Sequence, residues 1–240
     1  MILRRLGGRS ASARPLTALL AAAALAYAPA TAAAANFLVD TVLDLADDAP
    51  GDGACATTIL VIPDPPVFGT VCSLRAAIEE ANALPGPDAI SVPAGDYVLS
   101  QGRLGVTDPV LVEGAGPGLT VVRWSDAISP ALRDSVFRTE FGSGTVALRQ
   151  LSIRGGWASR GGGIYSRADS LLLTDCEISG NEADGADGSV PRGGGIYVEN
   201  GFLVANRCAI TDNRVWDSPT WPGESYGGGL ALEHLALLTN

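Results

Sequence analysis

The chain has 240 residues, 47% of them hydrophobic, with 26 Asp and Glu against 16 basic residues, and a formal net charge of −10. Every basic residue is Arg and the single His is His234, which excludes a lysine Schiff base, a His-based triad within the first 230 residues and a multi-His metal site. So acidic a chain repels nucleic acid and anionic lipid, and neither is expected as a partner.

The first element is an address. Arg4, Arg5, Arg9 and Arg14 precede the 13-residue apolar run Leu16 to Ala28, followed by Pro29 and an alanine-rich exit ending at Ala35. A basic start, a short apolar core and a small-residue exit predict a secretory signal peptide over residues 1–35. The run is too short to be a membrane anchor, which needs about 20 residues. Without the leader, 12 Arg face 26 acids, a net charge of −14 on 205 residues starting near Asn36. That length suffices for one sizeable core. No later apolar run is long enough for a membrane helix. Four cysteines in an exported chain point to disulfides, with three connectivities open.

Residues 36–84 have a character of their own. Phe37-Leu38-Val39 predicts a strand, and an acidic turn region runs from Asp44 to Cys55. A Pro-rich loop leads to Cys72, and Ser73 suits the N-cap of a helix over Leu74 to Asn82. Leu74, Ala77, Ile78 and Ala81 form one apolar stripe, with Arg75, Glu79 and Asn82 expected to face away. Asp44, Asp47, Asp48 and Asp52 do not follow the spacing of a calcium loop, and Asx turns account for aspartates there.

Pro50-Gly51-Asp52-Gly53-x-Cys55, followed by Cys72-Ser73-Leu74-Arg75-Ala76-Ala77-Ile78-x-Glu80-Ala81-Asn82-Ala83, closely resembles the CSLREA domain found at the N-terminus of secreted β-helix proteins. The resemblance covers residues 36–83. It implies a cap whose helix plugs the first coil of a β-helix, and a disulfide between Cys55 and Cys72. The segment between the cysteines, Ala56 to Val71, departs from the family in being long, apolar and rich in proline.

From Pro85 onward, short β-rich runs alternate with glycine turns, as in Val110-Leu111-Val112 before Glu113-Gly114. Gly161-Gly162-Gly163-Ile164-Tyr165 returns 32 residues later as Gly193-Gly194-Gly195-Ile196-Tyr197, and 34 residues after that as Gly227-Gly228-Gly229-Leu230. Asp175-Cys176-Glu177-Ile178 likewise matches Arg207-Cys208-Ala209-Ile210 at an offset of 32. A β-propeller blade needs about 40–45 residues and another signature. The expected fold is therefore all-β, a right-handed parallel β-helix over residues 85–240 behind a small cap with one amphipathic helix. The repeats are also loosely similar to those of the chlamydial polymorphic outer-membrane proteins. Asn240 aligns with Asn206, so the last coil stops in mid-strand and further coils are expected.

Alternation predicts an inward stack of Leu151, Cys176 and Cys208 beside one of Ile153, Ile178 and Ile210, with rungs about 4.8 Å apart. Cys176 and Cys208 are either bridged or free buried thiols. Asn181 and Asn213 are expected to form an internal amide ladder. The glycine triplets serve corners, because a phosphate cradle would need a following helix rather than a strand.

No catalytic constellation emerges. Asp175, the best-placed acid on an outward strand position, is expected to pair with Arg207 on the next coil, and no second acid of that face aligns with it. The corner segments Arg154 to Arg160, Glu182 to Arg192 and Arg214 to Tyr226 hold Trp157, Trp216, Trp221 and Tyr226, with Asp184 and Asp187 between them. These aromatics either form a sugar-binding platform or pin long loops to the wall. The expectation is an extracellular, adhesin-like scaffold binding glycans or another cell-surface component without catalysis, cofactor or metal. The alternative is a polysaccharide lyase or hydrolase of the β-helix class.

Overall fold

A strand presents alternate side chains to opposite faces, so runs such as Val110-Leu111-Val112 and Ile164-Tyr165-Ser166 bury one face and leave the other outside. In the computed structural model, which describes residues 34–61, 67–125, 134–185, 188–216, 226–233 and 236–239, these runs form stacked parallel sheets with a single helix. Residues 1–33, Trp221, Asp187, His234 and Asn240 lie outside the described residues.

Sheet I stacks β1 (Asn36–Leu38), β4 (Asp88–Ser91), β7 (Val110–Glu113), β10 (Thr145–Arg149), β14 (Ser170–Thr174), β18 (Phe202–Asn206) and β22 (Ala236–Thr239). Sheet II stacks β5 (Gly95–Leu99), β8 (Thr120–Trp124), β11 (Ser152–Arg154), β15 (Glu177–Ser179) and β19 (Ala209–Thr211). Sheet III stacks β6 (Leu104–Val106), β9 (Phe137–Thr139), β13 (Ile164–Ser166), β17 (Ile196–Val198) and β21 (Leu230–Leu232). All pairings in these sheets are parallel, and from β4 to β21 the chain visits I, II and III in turn on each of five rungs. The corner segments are not plain loops. They carry a fourth short sheet of β12 (Trp157–Ala158), β16 (Glu182–Ala183) and β20 (Arg214–Val215).

Columns of apolar side chains fill the interior. Val112, Leu148, Leu173 and Ala205 stack in sheet I, and Ile153, Ile178 and Ile210 in sheet II as the repeat predicts. Leu151 and Cys176 are buried and Cys208 is half-buried. Both thiols are free, which decides between the two readings of that pair. The Cys176 Sγ–H instead reaches the carbonyls of Leu148 and Thr174, each at 3.3 Å. Between sheets I and II the chain turns through Gln150, Asp175 and Arg207, all left-handed at φ 53°, 52° and 52°. Asp175 therefore sits in a turn rather than on a strand. The last register also differs from expectation: Asn206 pairs with Thr239, not with Asn240. The offset is 34 at Ile196 and Leu230 but 33 at Leu203 and Ala236, so one residue is absorbed between them.

The N-terminal segment is joined to the stack by β1, in which Phe37 pairs with Ile90. Ala35 precedes it, its N–H donating to Asp88 Oδ1 at 2.7 Å and its carbonyl accepting from Ala89. Ser73 caps α1 (Leu74–Ala83) by accepting from the Ala76 N–H at 3.0 Å, an interaction that stabilises by about 1 kcal/mol. Leu74, Ala77, Ile78 and Ala81 are buried in the core as expected.

Of the three residues expected to face away from the core, Glu79 and Asn82 are half-buried, but Arg75 is buried, which corrects the expectation at that position. Arg75 is 8% exposed and pairs with the equally buried Asp44 at 2.7 Å while donating to the carbonyls of Gly102 and Arg103. Glu79 accepts from the Asp47 N–H, and Asn82 exchanges hydrogen bonds with Gly105 and Thr107. Glu80, fully buried, accepts from the N–H groups of Gly51 and Gly53 in the acidic turn. The acidic region is thus wrapped onto the helix, and the carboxylates of Asp47 and Asp52 close Asx turns onto Ala49 and Ala54.

Cys55 and Cys72 are disulfide-bonded with Cα atoms 5.2 Å apart. In the chain-entropy account, closing a loop of this length stabilises by about 3 kcal/mol. The segment inside that loop is a hairpin rather than a loop: β2 (Thr57–Val61) pairs antiparallel with β3 (Val67–Val71). No helix among the described residues is long and apolar enough to cross a membrane.

Candidate ligand-binding corner

Register brings the corner residues together. Trp157 stacks on Glu182 and then on Arg214, beside the column Ala158, Ala183 and Val215. Ala183 faces inward and is fully buried, so its neighbours point out. The Asp184 amide donates to Ala158 and the Trp216 amide to Ala183, which carries the ladder one residue further. The two acids of the middle rung then receive the two indoles from opposite sides. Trp157 Nε1–H donates to Asp184 Oδ2 at 2.5 Å, and Trp216 Nε1–H donates to Glu182 Oε2 at 3.2 Å.

Behind the corner lies the predicted amide ladder. Asn181 is fully buried; its Nδ2 donates to Asn213 Oδ1 at 2.9 Å, and its own Oδ1 accepts from the Gly156 N–H. This ladder and the backbone of the adjoining rungs together account for the first two glycine triplets. A Cβ on Gly163 would stand 2.9 Å from Asn181 Nδ2, one on Gly195 2.8 Å from Asn213 Nδ2, and one on Gly162 2.2 Å from the Glu182 carbonyl. Only glycine lets the corner close against the amides.

Across the glycines, Arg160, Arg192 and Tyr226 stand in register. Next on the outer face of sheet III come Tyr165, Tyr197 and Ala231, and beyond them Arg167, Glu199 and Glu233. The rings of Tyr165 and Tyr197 lie 5.4 Å apart. The Tyr165 hydroxyl donates to Glu199 and that of Tyr197 to Glu233. Burial, reinforced by Glu233, pushes the Tyr197 hydroxyl up to about 12. Burial, reinforced by Glu199, also raises that of Tyr165. Arg192 bridges to Glu233 at 2.5 Å and lies 5.5 Å over the Tyr226 ring, while Arg167 spans Glu140 at 3.3 Å and Glu199 at 3.0 Å. Each carboxylate of this face is therefore held by a guanidinium.

Two adjoining clefts open on either side of Tyr226. One of about 390 Å³ is lined by Asn213, Arg214, Val215, Trp216, Tyr226 and the first two glycines of the last triplet. The other, about 350 Å³, lies against Arg192, Tyr197, Tyr226, Ala231 and Glu233. Both volumes fall within the range of ligand sites. Trp216 is 51% and Tyr226 52% exposed, so these two expected site residues share one open cleft. Trp157 is half-buried and belongs to a separate, smaller recess of about 130 Å³ beside Trp124. Trp221 lies outside the described residues.

Sequence reasoning passed over Tyr165, Tyr197, Arg160, Arg192 and Glu233. The signal was present, since the tyrosine following each Gly-Gly-Gly-Ile repeat falls on an outward position. Asp175 and Arg207 pair as expected, through two hydrogen bonds of 2.6 Å, and the guanidinium holds the Asp175 carboxyl below the usual range. Among the described residues no group of three or more His, Cys, Asp or Glu side chains is arranged to hold a metal ion. No family model matches the sequence, and neither a curated protein nor a solved structure matches it.

Proposed function

We propose that this chain is an exported right-handed parallel β-helix, closed at its N-terminus by a CSLREA-type cap, that acts outside the cell or at its surface as a non-catalytic, glycan-binding scaffold. The carrying observation is the pair of half-exposed aromatics, Trp216 and Tyr226, flanking one open cleft. Flat aromatic faces with polar groups at their edges suit the apolar faces and hydroxyls of sugars. The acid–indole bonds fix the tryptophan orientation, so little order has to be imposed on binding.

Export is supported by the leader-like composition of the first 35 residues and by the Cys55–Cys72 disulfide, a bond that persists in oxidising compartments. Absence of catalysis is supported by the carboxylates of sheet III, each tied to Arg, and by tyrosine hydroxyls raised rather than lowered. A glycan array probed with the full chain tests the reading. Binding that falls at least tenfold in Trp216→Ala and Tyr226→Ala, with melting temperatures held, is expected. Binding unaffected by both substitutions, or absent across the array, overturns it.

A further inference from the structure

The tyrosine column of sheet III stops after two members. Tyr165 and Tyr197 stack, and the residue in register on the following rung is Ala231. Alternation places Ala231 outward, between the inward Leu230 and Leu232. A methyl group where the column would carry a phenol ring leaves a notch in the outer wall, the cleft of about 350 Å³ already described.

We propose that this notch is a subsite for one uncharged pyranose ring of an oligosaccharide. The assignment rests on the glycan-binding reading and names the class of sugar. Three features select that class. The first is shape: the small and apolar residues Gly227, Leu230, Ala231 and Leu232 line one side, and Tyr226, 52% exposed, lines another with an aromatic ring of the kind sugar rings cover. The second is charge. Arg192 and Glu233 at the polar end are bonded to each other at 2.5 Å and cancel. Because the pair is neutralised internally, a charged sugar gains no net attraction from it and has to break it to pair with either member, whereas neighbouring hydroxyls can donate to the carboxylate and accept from the guanidinium with the pair intact. The Tyr197 hydroxyl, bonded to the same carboxylate, fixes Glu233 in place. The third is continuity. Tyr226 also walls the cleft of Trp216, so the next ring of the same chain passes over Tyr226 into the cleft beyond.

The test fills the notch. Ala231→Tyr continues the tyrosine column at a half-buried position on the outward face of the strand, away from the inward Leu230 and Leu232. The probes are uncharged hexasaccharides of glucose, galactose and mannose, and hexauronates of the same length, titrated calorimetrically against the full chain. The expected result is that the parent binds at least one uncharged hexasaccharide and no hexauronate. Ala231→Tyr should weaken that binding at least tenfold with an unchanged melting temperature. Should the tyrosine variant melt early, Ala231→Gln fills the notch more gently and should still weaken binding several-fold. If the filled variants bind as the parent does while Trp216→Ala loses binding, the notch is overturned and the glycan reading stands. Preference for hexauronates overturns the assignment to uncharged sugars. A parent that binds none of the probes, nor any glycan on the array, overturns both.

Discussion

Replacing Asn181 by alanine should cost this fold a large part of its stability although no apolar contact is lost. The side chain is fully buried. Its Oδ1 accepts from the Gly156 N–H at 2.9 Å, and its Nδ2 donates to Asn213 Oδ1 at 2.9 Å and to the carbonyls of Ile153 and Ser179 at 3.1 and 3.2 Å. The two amide hydrogens serve three acceptors, so the side chain makes about three full hydrogen bonds, each worth roughly 1 kcal/mol net. The Gly156 N–H, buried and left without an acceptor, adds roughly 1–3 kcal/mol. The sum is about 4–6 kcal/mol, against a total of roughly 5–15 kcal/mol for a typical domain. At about 2–4 °C per kcal/mol for a chain of this size, the melting temperature should fall by roughly 10–20 °C. Circular dichroism measures the melt, and hydrogen exchange resolved by peptide should show the loss of protection centred on Gly156 and Gly163. Asn213→Ala, at a half-buried position, should cost less. A melting point for Asn181→Ala within about 2 °C of the parent, or unaltered exchange at Gly156, would refute the ladder as a source of stability.

Two further outcomes follow from titrating groups. The two free thiols lie against each other: the neighbouring Cys176 thiol lowers that of Cys208 below its ordinary value by a hydrogen bond, whereas that contact and burial push the Cys176 thiol up. Iodoacetamide labelling of Cys208 in the folded protein should therefore rise at lower pH than that of an ordinary thiol, with Cys176 protected; a profile no lower than that of a free thiol, or prior labelling of Cys176, counts against this. Burial, together with Asp108 and Glu80, raises the Asp88 carboxyl above its usual range despite the hydrogen bond from Ala35. A raised folded-state value means that stability is full when the group is protonated in acid and is lost as pH rises through that value. Asp88→Asn should thus melt higher than the parent at neutral pH, with the gap closing towards acid; a gap that widens on acidification contradicts the assignment.

Much of the scaffold was legible in the sequence because its causes are periodic or local. Motifs that recur at offsets of 25 and then 32 residues, with period-two alternation, place Ile178 between Ile153 and Ile210, whatever the loops do. The cap of α1 was legible because Ser73 acts three residues away, and the asparagine ladder because both members follow the same strand of the repeat. Elsewhere the sequence left choices that depend on what arrives from a distance. Helical periodicity separates two faces of α1, but only the packed structure decides that Asp44, Asp47 and the Gly51–Gly53 turn cover the second face and take Arg75 and Glu80 into the interior. The cysteine pattern resembles a family, but whether the segment between the cysteines forms a loop or a hairpin depends on cross-strand pairing, which spacing does not encode. The corner shows the same division. Composition gathers tryptophan and acid in one kind of segment, yet the pairing of Trp157 with Asp184 and of Trp216 with Glu182 is set by rung register. That register depends on segments of unequal length, as the change of offset from 34 to 33 on the last rung makes plain. Periodicity determines which residues share a column; the three-dimensional path of the chain between columns determines which side chains meet, and therefore where a ligand can enter.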